Sequence, residues 1–114
     1  MSRERFEALV DQALDGIPDE IAAVVENLVV LVEDRPPAGE PDDLLGLYDG
    51  VALTERLANH GGELPDRVFV FREPLLDLCA TEEELVEEVE ITVVHEIAHH
   101  FGIDDDQLHE LGYG

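Results

Sequence analysis

Residues 81–102 read TEEELVEEVEITVVHEIAHHFG, the longest stretch of the chain with helical periodicity. At 3.6 residues per turn, Val86, Val89, Val93, Val94, Ile97, Ala98 and Phe101 spread over most of the circumference, while Glu88, Thr92, His95 and His99 share one sector. The pattern predicts a largely buried helix that opens a single polar strip. Thr81 followed by Glu84 is a capping-box pattern, and Glu82, Glu83 and Glu84 place negative charge at the positive end of the helix. Gly102 is expected to stop the helix in the left-handed conformation and turn the chain back.

Within this helix stands His95-Glu96-Ile97-Ala98-His99. Positions 95 and 99 lie about 40° apart and one turn removed, so both imidazoles can converge on one ion with Glu96 beside them. HExxH on a helix is the spacing of zinc metalloproteases, two histidines binding the ion and the glutamate acting as general base. A catalytic zinc takes three protein ligands and a water, so a third donor is expected beyond the Gly102 turn. There Asp104 and Gln107 form a second capping-box pattern that opens a short helix, with Leu108 and Leu111 on its apolar side. Asp104 and Asp106 read as cap and solvated surface. His109, one turn beyond Asp105, is a rival third ligand, in which case Asp105 would orient a ligating ring. His109 and Tyr113 are also candidates to stabilise an oxyanion. His100 points about 140° away from His95, toward the packed side, and reads as a hydrogen-bonded or orienting residue.

The run from His95 to Asp105, with Gly102 inside it, resembles the extended zincin motif, in which HExxH is followed by a glycine and then by the third metal ligand. That ligand is usually histidine in the metzincins and aspartate in a few zincins; here the position holds Asp105. The resemblance is closer still to the minimal zincins, or zincin-like metallopeptidases, which share a near-identical HEIAHHFGI…LHELG ending, here continued by Leu108-His109-Glu110-Leu111-Gly112. The segments Leu44–Tyr48, Leu53–Arg56 and Leu64–Arg67 are similar too, so the likeness runs from about residue 18 onward. It implies one zinc ion per chain held by His95, His99 and Asp105, Glu96 as the base, and a peptide or protein substrate. The larger metzincins add a methionine-containing turn and a long C-terminal subdomain. Here the sole methionine is Met1 and the sequence stops at Gly114, so peptidase activity that is weak, narrow in specificity or dependent on a partner is expected.

Composition bounds the remainder. The 114 residues suit one domain spanning the chain, and 45% hydrophobic content suits a packed core. There are 29 acidic and 6 basic residues, every basic one an arginine, for a net charge of −23. Such a surface repels phosphate backbones, which argues against nucleic-acid and anionic-membrane partners. Cys79 is the only cysteine, so no internal disulfide forms and a buried apolar role is expected. Residues 1–14 have an amphipathic and not a signal-like pattern, and the apolar run from Ile21 to Val32 is broken by Glu26 and Asn27. A cytoplasmic protein is expected.

In chain order, a first helix ends at Gly16, and Pro18-Asp19-Glu20 opens a short second one that Asn27 can end. Leu28 to Val32 reads as a central strand, and the proline-rich segment from Asp34 to Asp43 as an irregular loop. Leu44–Tyr48, Asp49-Gly50 and Val51–Leu53 give a hairpin signal with a type I′ turn. Leu57 to Asp66, with His60 beside two glycines, reads as loop. Val68–Phe71 is a short strand and Pro74–Leu78 a turn of helix. The fold class is therefore α+β: a small single-domain zincin-like fold, with a short mixed sheet packed against an active-site helix, an N-terminal helix and a short C-terminal helix.

Three functions are compatible with these features. A zinc-dependent peptidase uses every part of the constellation. A metal-dependent hydrolase of another class is the first alternative. A non-catalytic, zinc-stabilised acidic interaction domain is the second, and it needs the ligands but not Glu96. The charge has its own consequence. Raising monovalent salt from about 0.05 to 1 M shortens the Debye length from roughly 14 to 3 Å and should raise the melting temperature substantially. A flat or falling melting curve would show that the carboxylates are spaced widely enough not to strain the fold.

Overall fold

The computed structural model describes residues 1–23, 28–50 and 66–113, apart from the side chain of Asp105. The helices are α1 (Arg3–Asp15), α2 (Asp19–Ala22), α3 (Arg72–Leu78), α4 (Glu82–Phe101) and α5 (Asp105–Glu110), and the strands are β1 (Leu28–Glu33), β2 (Gly46–Asp49) and β3 (Asp66–Phe71). Among the described residues no helix is long and apolar enough to cross a membrane.

Helix ends follow from local chemistry. Ser2 Oγ accepts the Arg5 N–H at 3.1 Å and starts α1, whose Phe6, Leu9, Val10 and Ala13 are buried at helical spacing. Thr81 Oγ1 accepts the Glu84 N–H at 3.1 Å and starts α4. The reciprocal half differs from a closed capping box, because the Glu84 carboxylate accepts from the Ala80 N–H at 3.1 Å. At the other end Gly102 adopts φ 71° and closes the helix with its N–H on the Ala98 carbonyl. The box between Asp104 and Gln107 is complete in both directions and starts α5.

The three strands form a mixed sheet in the order β1-β3-β2, with β1 parallel and β2 antiparallel to β3. The run from Leu28 to Val32, expected to be central, is instead an edge strand; β3 takes the centre. Val68 and Val70 of β3 are fully buried, whereas Val29 and Leu31 of β1 are 38% and 39% exposed. A continuous apolar run reports affinity for a sheet, but position within the sheet depends on which neighbours pair on either side. The expected type I′ turn at Asp49-Gly50 is also corrected. Asp49 lies inside β2 opposite Arg67, and Gly50 is not in the left-handed region that such a turn requires. The second hairpin strand at Val51–Leu53, the loop from Leu57, its His60 and the Asn27 helix end lie outside the described residues.

α1 and α4 cover one face of the sheet. Val89, Val93, Val94, Ile97 and Ala98 of α4 meet Phe6, Leu9 and Val10 of α1, Val68 and Val70 of β3, and Leu75 of α3 in one core. Every arginine among the described residues is paired with an acid: Arg3 with Glu7, Arg5 with Glu82, Arg35 with Glu73, Arg67 with Asp49 and Arg72 with Asp34. Arg5–Glu82, at 2.7 Å, joins the starts of α1 and α4, but both partners are about half exposed, so its contribution is small. Arg5 holds the Glu82 carboxyl below the usual range.

At Gly46 the sheet comes close against the helix. A Cβ there would lie 2.6 Å from Thr92 Cγ2 and 3.0 Å from the Phe69 carbonyl. Gly46→Ala should therefore push β2 away from α4 and lower stability by about 1–3 kcal/mol in urea unfolding. An unchanged unfolding midpoint would refute this close approach.

Candidate metal centre

The polar strip expected on the long helix forms one wall of a groove. Glu88, Ile91, Thr92, His95, Glu96 and His99 of α4 face Pro41, Asp43, Leu44, Leu45 and Gly46 across a space of about 400 Å³. β2 follows α4 in the same sense. A Cβ on Gly46 would touch Thr92, and one on Gly50 would lie 3.1 Å from the His100 ring, so the chain preceding Gly46 runs toward the Glu88 end. The Leu45 carbonyl accepts from the Phe71 N–H at 2.9 Å. Antiparallel alternation therefore turns the Gly46 N–H and C=O away from β3, toward the groove edge of the sheet.

His95 is half-buried and His99 exposed, with ring centroids 6.1 Å apart and planes at 52°. Glu96 is half-buried between them and the sheet. Burial pushes its carboxyl above the ordinary value, and the neighbouring His99 and His95 partly offset that rise. Two imidazoles one turn apart, with a carboxylate between them, are a donor set that suits zinc. Asp105 is the first residue of α5, directly after the turn made by Gly102, Ile103 and Asp104. Among the described residues no third His, Cys, Asp or Glu side chain joins the pair to complete a metal-binding group.

The remaining candidates are placed as follows. His109 is exposed near the end of α5. Tyr113 donates its phenolic O–H to Glu90 Oε1 at 2.7 Å, while its main-chain carbonyl lies 3.0 Å from His95 Nε2. Burial, followed by that bond to the Glu90 carboxylate, pushes the phenol well above its ordinary pKa. His100 is exposed and stacks on the Tyr48 ring at 3.9 Å and 12°, so it does not enter the core as its helical position suggested. The side of α4 beyond Ala98 meets the edge strand β2, and a flat aromatic contact replaces a buried one there. The half-buried Cys79 thiol is raised by burial and then by Glu88 and Glu84, which disfavours a nucleophilic thiolate.

The other wall was not legible as part of a site. Pro41 and Asp43 read as the end of an irregular loop and Leu44 and Leu45 as the start of a hairpin strand, and no spacing rule connects them to residues some fifty positions later. The small residue at Gly46, between Leu45 and Leu47, is the one local sign of a close backbone approach.

Comparison with known proteins bears on the fold and on the family. A conserved hypothetical protein from Thermo thermophilus is similar in structure, with a TM-score of 0.61 over 89% of this chain and 94% of that one. At 21% sequence identity this likeness speaks for the fold alone. No curated protein matches the chain. The family model described as zincin-like metallopeptidase matches residues 25–114, which takes in the groove, both histidines and the turn after them. The chain thus belongs to the zincin-like metallopeptidase family.

Proposed function

We propose that this protein is a zinc-dependent peptidase in which His95, His99 and Asp105 hold one ion and Glu96 is the general base. The observation that carries the proposal is the convergence of His95, Glu96 and His99 on a groove that runs beside the outward-facing edge of β2. An extended peptide can add to that edge as a further strand, with the Gly46 N–H and C=O pairing to its backbone. Asp43 and Glu88 make the groove acidic, which favours peptides with basic side chains.

A bound zinc ion would supply Lewis acidity toward the scissile carbonyl and the attacking water. Glu96 accepts the proton that the water gives up and delivers it to the leaving amine. Its partial burial suits this task, since a carboxylate removed from bulk water is a stronger base. That half-buried carboxylate in the groove also favours a catalytic over a purely structural metal site, because an ion holding the fold together has no need of Glu96.

The ligand set is tested by metal content. The purified protein should hold about one zinc per chain, Asp105→Ala should lose it and Asp105→His should largely retain it. Loss in His109→Ala with retention in Asp105→Ala would transfer the third position to His109. Chemistry is tested with Glu96→Gln, which keeps size and helix propensity but cannot accept the proton. It should keep its zinc and lose about 10²–10⁴-fold in cleavage of a mixed peptide library followed by mass spectrometry. Equal cleavage by wild type and variant would point to a contaminating protease. Absence of cleavage by either would favour the non-catalytic alternative.

A further inference from the structure

We infer that the outer edge of β1 is a docking site for an extended segment of a partner protein in which basic and apolar side chains alternate. The site lies on the opposite edge of the sheet from β2 and does not depend on the zinc reading above. Ladder geometry makes the edge available. Because the Phe71 N–H donates to the Leu45 carbonyl, the main-chain groups of Phe69 and Phe71 point to β2, and those of Val68 and Val70 point to β1. In the parallel register Val32 stands opposite Val70, so Val70 bonds to the residues on either side of it, Leu31 and Glu33. The N–H and C=O groups of Leu28, Val30 and Val32 therefore face outward. The Arg3 guanidinium donates to the Val32 carbonyl, in agreement with that direction. Among the described residues nothing pairs with the outward groups of Leu28 and Val30. An edge of this kind is a template for a further strand.

The flanks of the edge specify the strand. Side chains of an added strand alternate between the two faces of the sheet. On one face they meet Val29 and Leu31, large apolar residues that are 38% and 39% exposed. On the other they enter a space of about 370 Å³ between β1 and α1, whose wall carries Glu7 and Asp11. These two acids are one helical turn apart, about 6 Å along the axis, and alternate residues of a strand are separated by about 6.8 Å. Lysines or arginines two positions apart therefore match them. Arg3 offsets the charge of Glu7, so Asp11, which has no ion pair among the described residues, is the stronger of the two contacts. The net charge of −23 draws a cationic partner from a distance. It disfavours a second copy of the chain, which brings its own Glu7 and Asp11 to the same edge.

The probe is a short peptide of alternating lysine and valine, blocked at both ends, added to the full chain at about 0.15 M salt, with its integrity followed by mass spectrometry. Amide NMR shifts should centre on Leu28, Val30 and Val32, and the Val30 and Val32 amide protons should exchange more slowly when the peptide is bound. Methylating the backbone nitrogens of one alternating set, lysines or valines, should abolish binding while methylating the other set does not, because only one set faces β1. Asp11→Lys, on the exposed surface of α1, should weaken binding about tenfold. A peptide of the same composition with its lysines and valines in two blocks should bind markedly more weakly. Equal binding by the alternating and block peptides, or indifference to both methylations, overturns the proposal, since charge alone would then account for the contact. Shifts centred on Gly46 and Thr92 also overturn it, because the peptide would then occupy the groove of the candidate metal centre. So does an absence of binding at millimolar peptide. Line broadening at Val30 that grows with protein concentration in the absence of peptide would assign the edge to a second copy, and is the last contrary result.

Discussion

The burial of the apolar side chains of α4 is the constraint on which the rest of this protein depends. Val89, Val93, Val94, Ile97 and Ala98 are almost wholly removed from solvent between α1 and the sheet. Burying each of the valine and isoleucine side chains contributes roughly 1.5–3 kcal/mol. The contribution leaves α4 little freedom to roll. With its apolar faces held, the strip carrying Glu88, Thr92, His95 and His99 has only one direction to face, and the groove lies there. Precision at the candidate metal centre is thus a by-product of packing in the core.

The same constraint explains the economy of the site. A helix that cannot roll needs few additional contacts to aim two imidazoles, and those present come from distant parts of the chain. Gly46 brings the edge strand against Thr92, which sets the width of the groove. Tyr113 returns after α5 to reach both Glu90 and His95. Each contact is local in space and remote in sequence.

The strongly acidic surface is organised more than its net charge suggests. The described arginines sit mostly where elements meet: Arg5–Glu82 between α1 and α4, Arg72–Asp34 and Arg35–Glu73 between α3 and the segment after β1, and Arg67–Asp49 between β3 and β2. None of them lines the groove around His95. The scarce positive charge offsets repulsion at the joints, and the groove is left acidic apart from its histidines.

The helical frame of the site was readable from sequence because it rests on short-range rules. Thr81 as N-cap, Gly102 as the left-handed stop, the Asp104–Gln107 box and the three-to-four residue spacing of the valines act within a turn or two, so neighbouring residues suffice to specify them. The separation of His95 and His99 by one turn belongs to the same class. Sheet order does not. Leu28–Val32 is the more continuously apolar strand, yet it lies at the edge, because pairing on both sides of β3 is decided by what packs beneath Val68 and Val70. His100 was likewise misplaced by helical projection alone, since the angle around α4 does not say that a tyrosine ring from β2 waits there. The opposite wall of the groove and the Tyr113 carbonyl on His95 lie beyond sequence reading for one physical reason. Main-chain groups carry no residue-specific signal, and their direction is set only when the sheet, the long helix and the final turn have packed together.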